Sequence, residues 1–372
     1  MTETKRRSFY LTVVLLAVLT SAAQADSMLD LQCRAWFYGR DYYVLRSGRT
    51  KMVHNRREFW ECTFTDAYEL AYQTCLILGL RDAADLAPAL GAEDRAAGWR
   101  READRTLHAM LSHPTCSLVS DGHLIKRRKV TGEVADYPDG LGGFRDDVPM
   151  SVERHHKLMP DATMALPIAL GLVDPRSDLA RRTLDDLEAL WNTRWSDGGY
   201  DRYHTSGQPD QPGPWTFATT FILRAQHDAG LLDRSRRSLE WLNTMAGGRT
   251  GAWLEEIPAV RSQEASAGIL PWTSAEVALF VVRHYLGVRF DGDQMVLRPA
   301  LYPGSPPVKA DLRFRGSRLQ LVIDGAGPIR EARIDDKPIR ATPESALRLP
   351  PDFRGGRVVI HASNSVFRPG FQ

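Results

Sequence analysis

Residues 214–246 read PWTFATTFILRAQHDAGLLDRSRRSLEWLNTMA and predict two helices joined by a very short link. Pro214 suits the start of a helix, because a first-turn proline lacks only an amide hydrogen that the helix leaves unbonded. Gly230 is placed to end this first helix, and the second follows over residues ~233–246. Consecutive helices with so short a link are typical of a helical hairpin.

Further helical patterns occur on both sides of this hairpin, separated by long loops rich in Gly, Pro, Asp and His. Asp66 with Glu69 resembles a capping box and predicts a helix start. Asp174-Pro175 supplies an N-cap and a first-turn proline for another helix. With these signals, helices are predicted over residues ~28–47, ~66–79, ~91–112, ~175–192 and ~269–286. The alternation of short links and long loops predicts stacked helical hairpins.

The pattern changes after Gly287. Residues 288–299 predict a hairpin, and residues 311–323 predict a second one in which apolar side chains alternate. A further strand is predicted over residues 358–361. We therefore expect a mainly α protein with a signal peptide (1–25), a helical-hairpin domain (26–287) and a small β-module (288–372).

The first 25 residues have the pattern of a secretory signal peptide. Lys5-Arg6-Arg7 precede an apolar run from Phe9 to Leu19, and Ala23-Gln24-Ala25 supply a cleavage site. The apolar run is short for a membrane span. We expect a periplasmic or secreted protein cleaved after Ala25, the alternative being an uncleaved membrane anchor.

The net charge argues against a nucleic-acid partner. The chain has 48 basic and 46 acidic residues, and the leader holds three of the former and one of the latter, which leaves 45 of each. Nucleic-acid binding usually requires a basic surface, whereas a neutral chain suits a neutral substrate such as a carbohydrate. The four cysteines match no zinc pattern, and they allow up to two disulfides in three pairings, or buried thiols. The sequence predicts no cofactor and no metal site.

Two glutamates that stand beside tryptophans provide the candidate chemistry. Glu61 follows Trp60, and Glu255 lies in Trp253-Leu254-Glu255-Glu256. Cleavage of a glycosidic bond needs one carboxyl group to protonate the leaving oxygen and a second to activate water. Aromatic faces nearby supply apolar platforms for sugar rings and can raise the pKa of an acid by desolvation.

Four segments in sequence order resemble glucoamylase-type glycosidases, glycoside hydrolase family 15. Trp60-Glu61 followed by a helix resembles the general-acid segment, and Asp161-Ala162-Thr163 resembles the next helical hairpin. Residues 198–203, GGYDRY, with Pro214-Trp215, are similar to the family's Gly-Gly-x-x-Arg-Tyr … Pro-Trp signature. Residues 255–276 resemble Glu-Gln-Val … Leu-Thr-Trp-Ser-His-Ala-Glu, although Glu256 replaces the glutamine and Thr-Ser replaces Ser-His. The resemblance covers residues 55–287.

The resemblance implies an inverting hydrolase of α-glucosides with a six-hairpin, (α/α)6-toroid-like domain. Glu61 would be the general acid and Glu255, seventeen residues before Trp272, the general base. Their carboxyl groups would then lie ~6.5–9.5 Å apart to admit the attacking water. Arg202 would hold sugar hydroxyls. The remaining candidates for substrate binding are Trp60, Tyr203, Trp215, Trp253 and Trp272.

Several alternatives remain open. Trp215 and Trp272 also fit core packing, Arg202 also fits an ion pair with Asp197 or Asp201, and His155-His156 also fits a polar loop. Glu256 and Glu264 are expected to be solvated loop charges.

The helices predicted here number fewer than the twelve of a closed toroid. The domain is therefore an incomplete barrel, a barrel completed by a second chain or a second copy, or a decayed relative. The other candidate functions are a non-catalytic carbohydrate-binding or scaffold protein and a six-hairpin glycosidase that acts on trehalose or rhamnosides.

Overall fold

The computed structural model describes residues 33–37, 40–57, 59–60, 63–135, 159–193, 196–203, 213–245, 247–256, 268–292 and 294–363. These residues divide into two compact units. Unit 1 holds the described residues up to Ala225 together with Glu256, and unit 2 holds residues 226–255 and those from 268 onward. The predicted signal peptide lies outside the described residues.

Unit 1 begins with a sheet where the sequence pattern predicted a helix. The strands β1 (Cys33–Phe37), β2 (Arg40–Arg46), β3 (Val53–Arg57) and β4 (Thr63–Glu69) lie side by side. Each neighbouring pair is antiparallel. The predicted helix over residues 28–47 is therefore wrong. Residues 40–46 contain two tyrosines and a valine, which favour a strand, and the neighbouring strands supply the hydrogen bonds that a helix would make internally.

The capping box predicted at Asp66 and Glu69 is also wrong. Strand β4 continues through Glu69, whose backbone is extended, and helix α1 (Leu70–Leu86) begins only at the next residue. Both carboxylates are engaged elsewhere. Asp66 Oδ2 lies 2.8 Å from His54 Nδ1 on the adjacent strand, and Glu69 Oε1 accepts the Phe59 backbone N–H at 2.6 Å.

Helices α1 and α2 (Glu93–Ser112) form a helical hairpin in unit 1, and the second of them confirms the predicted helix over residues 91–112. A 3₁₀ turn at Pro88–Leu90 and a left-handed Gly91 link the two helices. The buried face of α2 includes Trp99, Ala103 and Met110. After α2, the chain forms three short strands, β5 (Val119–Ser120), β6 (His123–Leu124) and β7 (Arg127–Lys129), and β7 extends the first sheet beyond β4.

The middle of unit 1 contains shorter helices than the sequence predicted. Helix α3 (Leu166–Ala169) follows a 3₁₀ turn at Ala162–Ala165, and helix α4 (Asp178–Asp186) continues into a 3₁₀ turn at Leu187–Leu190. Ser177, not Asp174, is the N-cap of α4. The carboxylate of Asp174 accepts the Arg176 N–H at 3.0 Å in a turn before the helix, so the helix starts later than expected.

Helices α5 (Thr216–Asp228) and α6 (Leu232–Thr244) occupy the stretch predicted as a hairpin, and three residues link them. In unit 2, helix α7 (Pro271–Leu279) continues as a π-helical turn at Phe280–Tyr285. Gly287 then adopts a left-handed φ of 70°. The structure confirms Gly287 as the end of this helical segment.

The rest of unit 2 is the predicted β-module. A three-stranded sheet has the order β14 (Leu347–Arg348), β9 (Gln294–Leu297) and β8 (Val288–Asp291). A five-stranded sheet has the order β10 (Val308–Phe314), β11 (Ser317–Asp324), β15 (Gly356–Ala362), β12 (Ile329–Ile334) and β13 (Lys337–Ile339). Alternate residues Leu319, Leu321 and Ile323 of β11 are fully buried, which confirms the alternation read from the sequence.

Candidate active site

Asp161 is the centre of a buried polar cluster in unit 1. Its backbone is extended at the start of the Ala162–Ala165 turn, and its side chain caps that turn. Oδ1 accepts the Thr163 N–H at 2.8 Å and the Thr163 hydroxyl at 2.5 Å. Oδ2 accepts Lys126 Nζ at 2.7 Å and the Trp60 indole N–H at 3.0 Å. Four donors from three segments therefore meet at one carboxylate that is fully buried.

A second buried ion pair involves Arg127, the neighbour of Lys126 in the sequence. Arg127, the residue after Lys126, places Nη1 3.5 Å from Glu69 Oε2, and both side chains are fully buried. Arg127 also donates to the Asn55 carbonyl at 2.6 Å. Buried charges are tolerated in a protein when they are paired and hydrogen-bonded, because each loses the solvation of water. Unit 1 therefore holds four fully buried charged side chains, Glu69, Lys126, Arg127 and Asp161, in two ion pairs.

Four of the predicted substrate-binding residues come together beside Asp161. The guanidinium carbon of Arg202 lies 4.1 Å from the ring centroid of Trp215, 5.0 Å from that of Tyr203 and 5.9 Å from that of Trp60. The rings of Trp60 and Trp215 are 6.1 Å apart. A guanidinium over an aromatic face is attracted by the negative potential of the ring. We call Trp60, Arg202, Tyr203 and Trp215 the aromatic–arginine cluster.

Backbone pairing places the members of this cluster. Tyr203 pairs with Asp161 in an antiparallel bridge, and the Arg202 carbonyl accepts the Ala162 N–H at 2.7 Å. The Trp215 N–H donates to the Tyr200 carbonyl at 2.9 Å. Loop 198–203 can approach in this way because Gly199 adopts a φ of 84°, which a residue with a Cβ rarely does. Asp201, one of the predicted partners of Arg202, accepts Asn192 Nδ2 at 2.9 Å.

Glu256 lies in unit 1, directly opposite Trp215 in an antiparallel bridge. It is only 7% exposed, so the expectation of a solvated loop charge is wrong for this residue. Trp215 is 7% exposed as well. Directly opposed residues in such a bridge have their side chains close together, which puts a carboxylate beside the aromatic–arginine cluster.

The remaining predicted site residues fall into two groups. Glu61, His155, His156 and Glu264 lie outside the described residues. Glu255, Trp253 and Trp272 belong to unit 2. Trp253 is buried, and its indole N–H donates to the Leu242 carbonyl at 2.8 Å. Trp272 is exposed in the first turn of α7, and the partly exposed Glu255 donates its backbone N–H to the Gly268 carbonyl at 3.0 Å.

The sequence pattern did not single out Lys126 or Arg127, and it assigned Glu69 to a helix start rather than to a site. Residues 126–129, KRRK, have the composition of a solvated basic run. That composition does not indicate that Arg127 begins β7, a strand of the first sheet of unit 1, or that Lys126 directly precedes this strand.

Metal ligands do not cluster in the part of the chain that the structure describes. No group of three or more His, Cys, Asp or Glu residues within these ranges is arranged to hold a metal ion. Cys75 and Cys116 are free thiols. Within the same ranges, no helix has both the length and the apolar character needed to cross a membrane.

Among the solved structures to which this chain is similar are several glycosidases. A sialidase aligns over 84% of this chain and 28% of its own, with 11% identity and a TM-score of 0.53. A glycosidase variant in complex with glucose aligns over 59% of this chain and 53% of its own, with 17% identity and a TM-score of 0.41. A bacterial glucoamylase complexed with acarbose aligns over 62% and 35%, with 16% identity and a TM-score of 0.42. No protein-family model and no curated protein sequence matches the chain.

These comparisons concern the fold. The seven α-helices and the C-terminal sheets of the described residues agree with the predicted class, a six-hairpin-type helical domain with a small β-module. The likeness to the sialidase is one of fold alone. The chain spans about half the length of the glycosidase, 53%, and less of the sialidase, 28%.

Proposed function

We propose that this chain is a glycoside hydrolase of the glucoamylase type, family 15, that cleaves α-glucosidic bonds with inversion. The aromatic–arginine cluster is the observation that carries the proposal. Trp60, Arg202, Tyr203 and Trp215 come from three separate segments, and the Arg202 guanidinium lies within 5.9 Å of all three rings. Aromatic faces bind the apolar faces of sugar rings, and a guanidinium donates hydrogen bonds to hydroxyl groups.

The catalytic roles proposed for Glu61 and Glu255 follow from the resemblance of their segments to glycoside hydrolase family 15. Glu61 follows Trp60 in the chain and acts as general acid toward the glycosidic oxygen. Glu255 acts as general base and deprotonates the water that attacks the anomeric carbon from the opposite face. Arg202 and Trp60 bind the sugar, and Trp215, Tyr203, Trp253 and Trp272 are the further substrate-binding candidates. This chemistry requires no cofactor.

The reaction can be tested on the purified protein. Maltooligosaccharides and an aryl α-glucoside are the substrates, and proton NMR of the released sugar reports its anomeric configuration. We expect β-glucose as the first product, with loss of turnover in Glu61→Gln and in Glu255→Gln. Absence of turnover in the wild type, or undiminished turnover in both variants, would contradict the proposal.

A non-catalytic carbohydrate-binding function is the second candidate. Arg202, Tyr203 and Trp215 are only 5%, 2% and 7% exposed, which leaves little open surface for a reacting substrate and favours a protein in which these side chains serve as a scaffold. Calorimetry with maltooligosaccharides separates the two functions, because binding without turnover supports this candidate alone. A six-hairpin enzyme acting on trehalose or rhamnosides is tested by adding those substrates to the same assay.

We also propose that the chain is exported and cleaved after Ala25. Expression of the full chain in a Gram-negative host, followed by N-terminal sequencing of the periplasmic protein, is expected to give Asp26 as the first residue. Recovery in the membrane fraction with the leader intact would favour the anchored form. Light scattering of the purified protein tests whether a second copy associates with the first.

A further inference from the structure

Two adjacent basic residues hold the Phe59-Trp60 dipeptide through two buried carboxylates. Lys126 pairs with Asp161, which accepts the indole N–H of Trp60. Arg127 pairs with Glu69, which accepts the backbone N–H of Phe59. The side chain of Trp60 and the backbone just before it are therefore both fixed by buried anions. The ring of Phe59 packs against that of Trp60 at a centroid distance of 4.9 Å.

Hydrogen bonding leaves Asp161 unsuited to acid–base catalysis. An ionised carboxylate offers about four lone-pair sites. Trp60, Lys126 and Thr163 together donate four hydrogen bonds to Asp161. A general acid must carry a proton on one of these oxygens, and a general base must turn a free lone pair toward the substrate. The geometry gives Asp161 neither, so its contribution must come through the groups it holds.

Trp60 is the member of this group that a sugar could contact. It is partly exposed, whereas Asp161 and Lys126 are fully buried. Its ring lies beside Arg202 and Trp215. The χ2 torsion of tryptophan, which rotates the indole ring about the Cβ–Cγ bond, has broad minima. Packing alone therefore holds the ring less firmly than a hydrogen bond from its N–H to a fixed anion.

We propose that Asp161 and Lys126 are positioning residues that fix the indole plane of Trp60, so that Trp60 presents a defined ring face to a bound sugar. The part of this inference that concerns a bound sugar rests on the proposed function. The orientation of the Trp60 ring can be measured without any sugar. Arg127 and Glu69 hold the backbone of the same dipeptide in this arrangement.

The first test observes the ring directly. The protein, with its nine tryptophans, is labelled with 5-fluorotryptophan, and Trp60→Phe identifies the fluorine resonance of Trp60. The paired variant Lys126→Met with Asp161→Asn removes both charges together, because a lone buried lysine would threaten folding. The amide oxygen introduced by Asp161→Asn is needed by the two Thr163 donors, so the amide NH₂ faces the indole N–H and cannot accept its hydrogen bond.

We expect the Trp60 resonance to shift or broaden by more than its linewidth in the paired variant, with the other tryptophan resonances unchanged except that of Trp215, whose ring lies 6.1 Å from that of Trp60. A matched control neutralises the exposed ion pair Arg81–Asp104, whose atoms are 3.1 Å apart, with Arg81→Met and Asp104→Asn. The control is expected to leave the Trp60 resonance in place. An unchanged Trp60 resonance in the paired variant would overturn the proposal.

The second test asks whether the positioned ring serves a sugar. We expect the paired variant to raise KM for maltotriose about tenfold, the order of a lost hydrogen bond to a charged group. Trp60→Phe, which keeps a ring but loses the N–H, is expected to raise KM similarly, and the combination is expected to be no worse than either, because both remove the same contact. A purely structural role would lower the amount of folded protein and leave the KM of the remainder unchanged. Additive effects would also overturn the proposal.

The two tests separate the two hypotheses. If no variant and no wild-type protein binds or hydrolyses a sugar, the proposed function fails. The fluorine resonance still decides whether Asp161 and Lys126 position Trp60.

Discussion

Glu256 lies directly opposite Trp215 in an antiparallel β-bridge, and both side chains are 7% exposed. The Trp215 ring in turn lies 4.1 Å from the guanidinium carbon of Arg202. Glu255, one residue earlier, belongs to the other compact unit. The carboxylates of Glu255 and Glu256 therefore have different surroundings, and we expect different effects from their substitution.

Exchange of each glutamate for glutamine is expected to separate their roles. Glu255→Gln removes the proposed general base and should lower kcat by about 10²- to 10⁴-fold. Glu256→Gln keeps the shape of a side chain beside Trp215 and should raise KM several-fold, with kcat changed by less than about threefold. Steady-state kinetics on maltotriose measures both. Loss of kcat in Glu256→Gln alone would transfer the base to Glu256.

Replacement of Arg202 tests the aromatic–arginine cluster. Arg202→Lys keeps the positive charge but loses the planar guanidinium that stacks on Trp215. We expect the free energy of unfolding to fall by about 1–2 kcal/mol, as for a desolvated cation–π contact, and KM to rise. Urea unfolding and kinetics provide the two measurements. Arg313→Lys on strand β10 is the control, and equal effects at the two positions would argue against a special role for Arg202.

Stability at low pH is expected to depend on Asp228 in unit 2. Burial opposes ionisation of this carboxyl group, but the imidazoles of His227 and His284 and the charge of Arg289 outweigh it and hold the pKa of Asp228 well below its usual range. His284 Nδ1 lies 2.8 Å from Asp228 Oδ1. A depressed pKa in the folded state stabilises the fold above the unfolded pKa of about 4, and this stability is lost as the pH falls toward the folded value.

Asp228→Asn is therefore expected to lower the free energy of unfolding by about 1–3 kcal/mol at pH 7. The deficit should shrink as the pH falls below about 4, because the wild type then loses its own advantage. Urea unfolding at several pH values measures this convergence. Asp311→Asn, at an exposed ion pair with Arg318, is expected to change stability little. A deficit that is constant with pH would contradict the assignment.

Gly287 is expected to tolerate no side chain. Its φ is 70°, and an added Cβ would collide with the backbone of Arg298 and Pro299. Gly287→Ala should therefore cost about 3 kcal/mol or more, combining left-handed strain with a clash against rigid backbone. Gly292 has a φ of 60° with no atom within 4 Å of the added Cβ, so Gly292→Ala should cost only about 1 kcal/mol. Thermal unfolding of both variants measures the difference, and equal costs would mean that the clash at Gly287 is relieved.

Local patterns were sufficient for the elements whose stabilising contacts are near in sequence. Helix α2 and the α5–α6 stretch follow from helical periodicity, and the alternation of Leu319, Leu321 and Ile323 predicts β11. The sheet at the front of unit 1 was missed. Its strands gain their hydrogen bonds from neighbours, and β7 joins β4 from about sixty residues further along the chain, a pairing that no short window contains.

The residue types of the candidate site can be recognised from the sequence alone. Trp60, Arg202, Tyr203 and Trp215 were selected from their motifs, since aromatic rings and a guanidinium are suited to sugars whatever their positions. The sequence motifs do not indicate that these side chains come together beside Asp161. Asp161 gathers donors from residues 101 and 35 positions earlier, Trp60 and Lys126. The sequence specifies which groups are present, but burial makes each charge require a partner, and which distant group supplies that partner depends on how the segments pack.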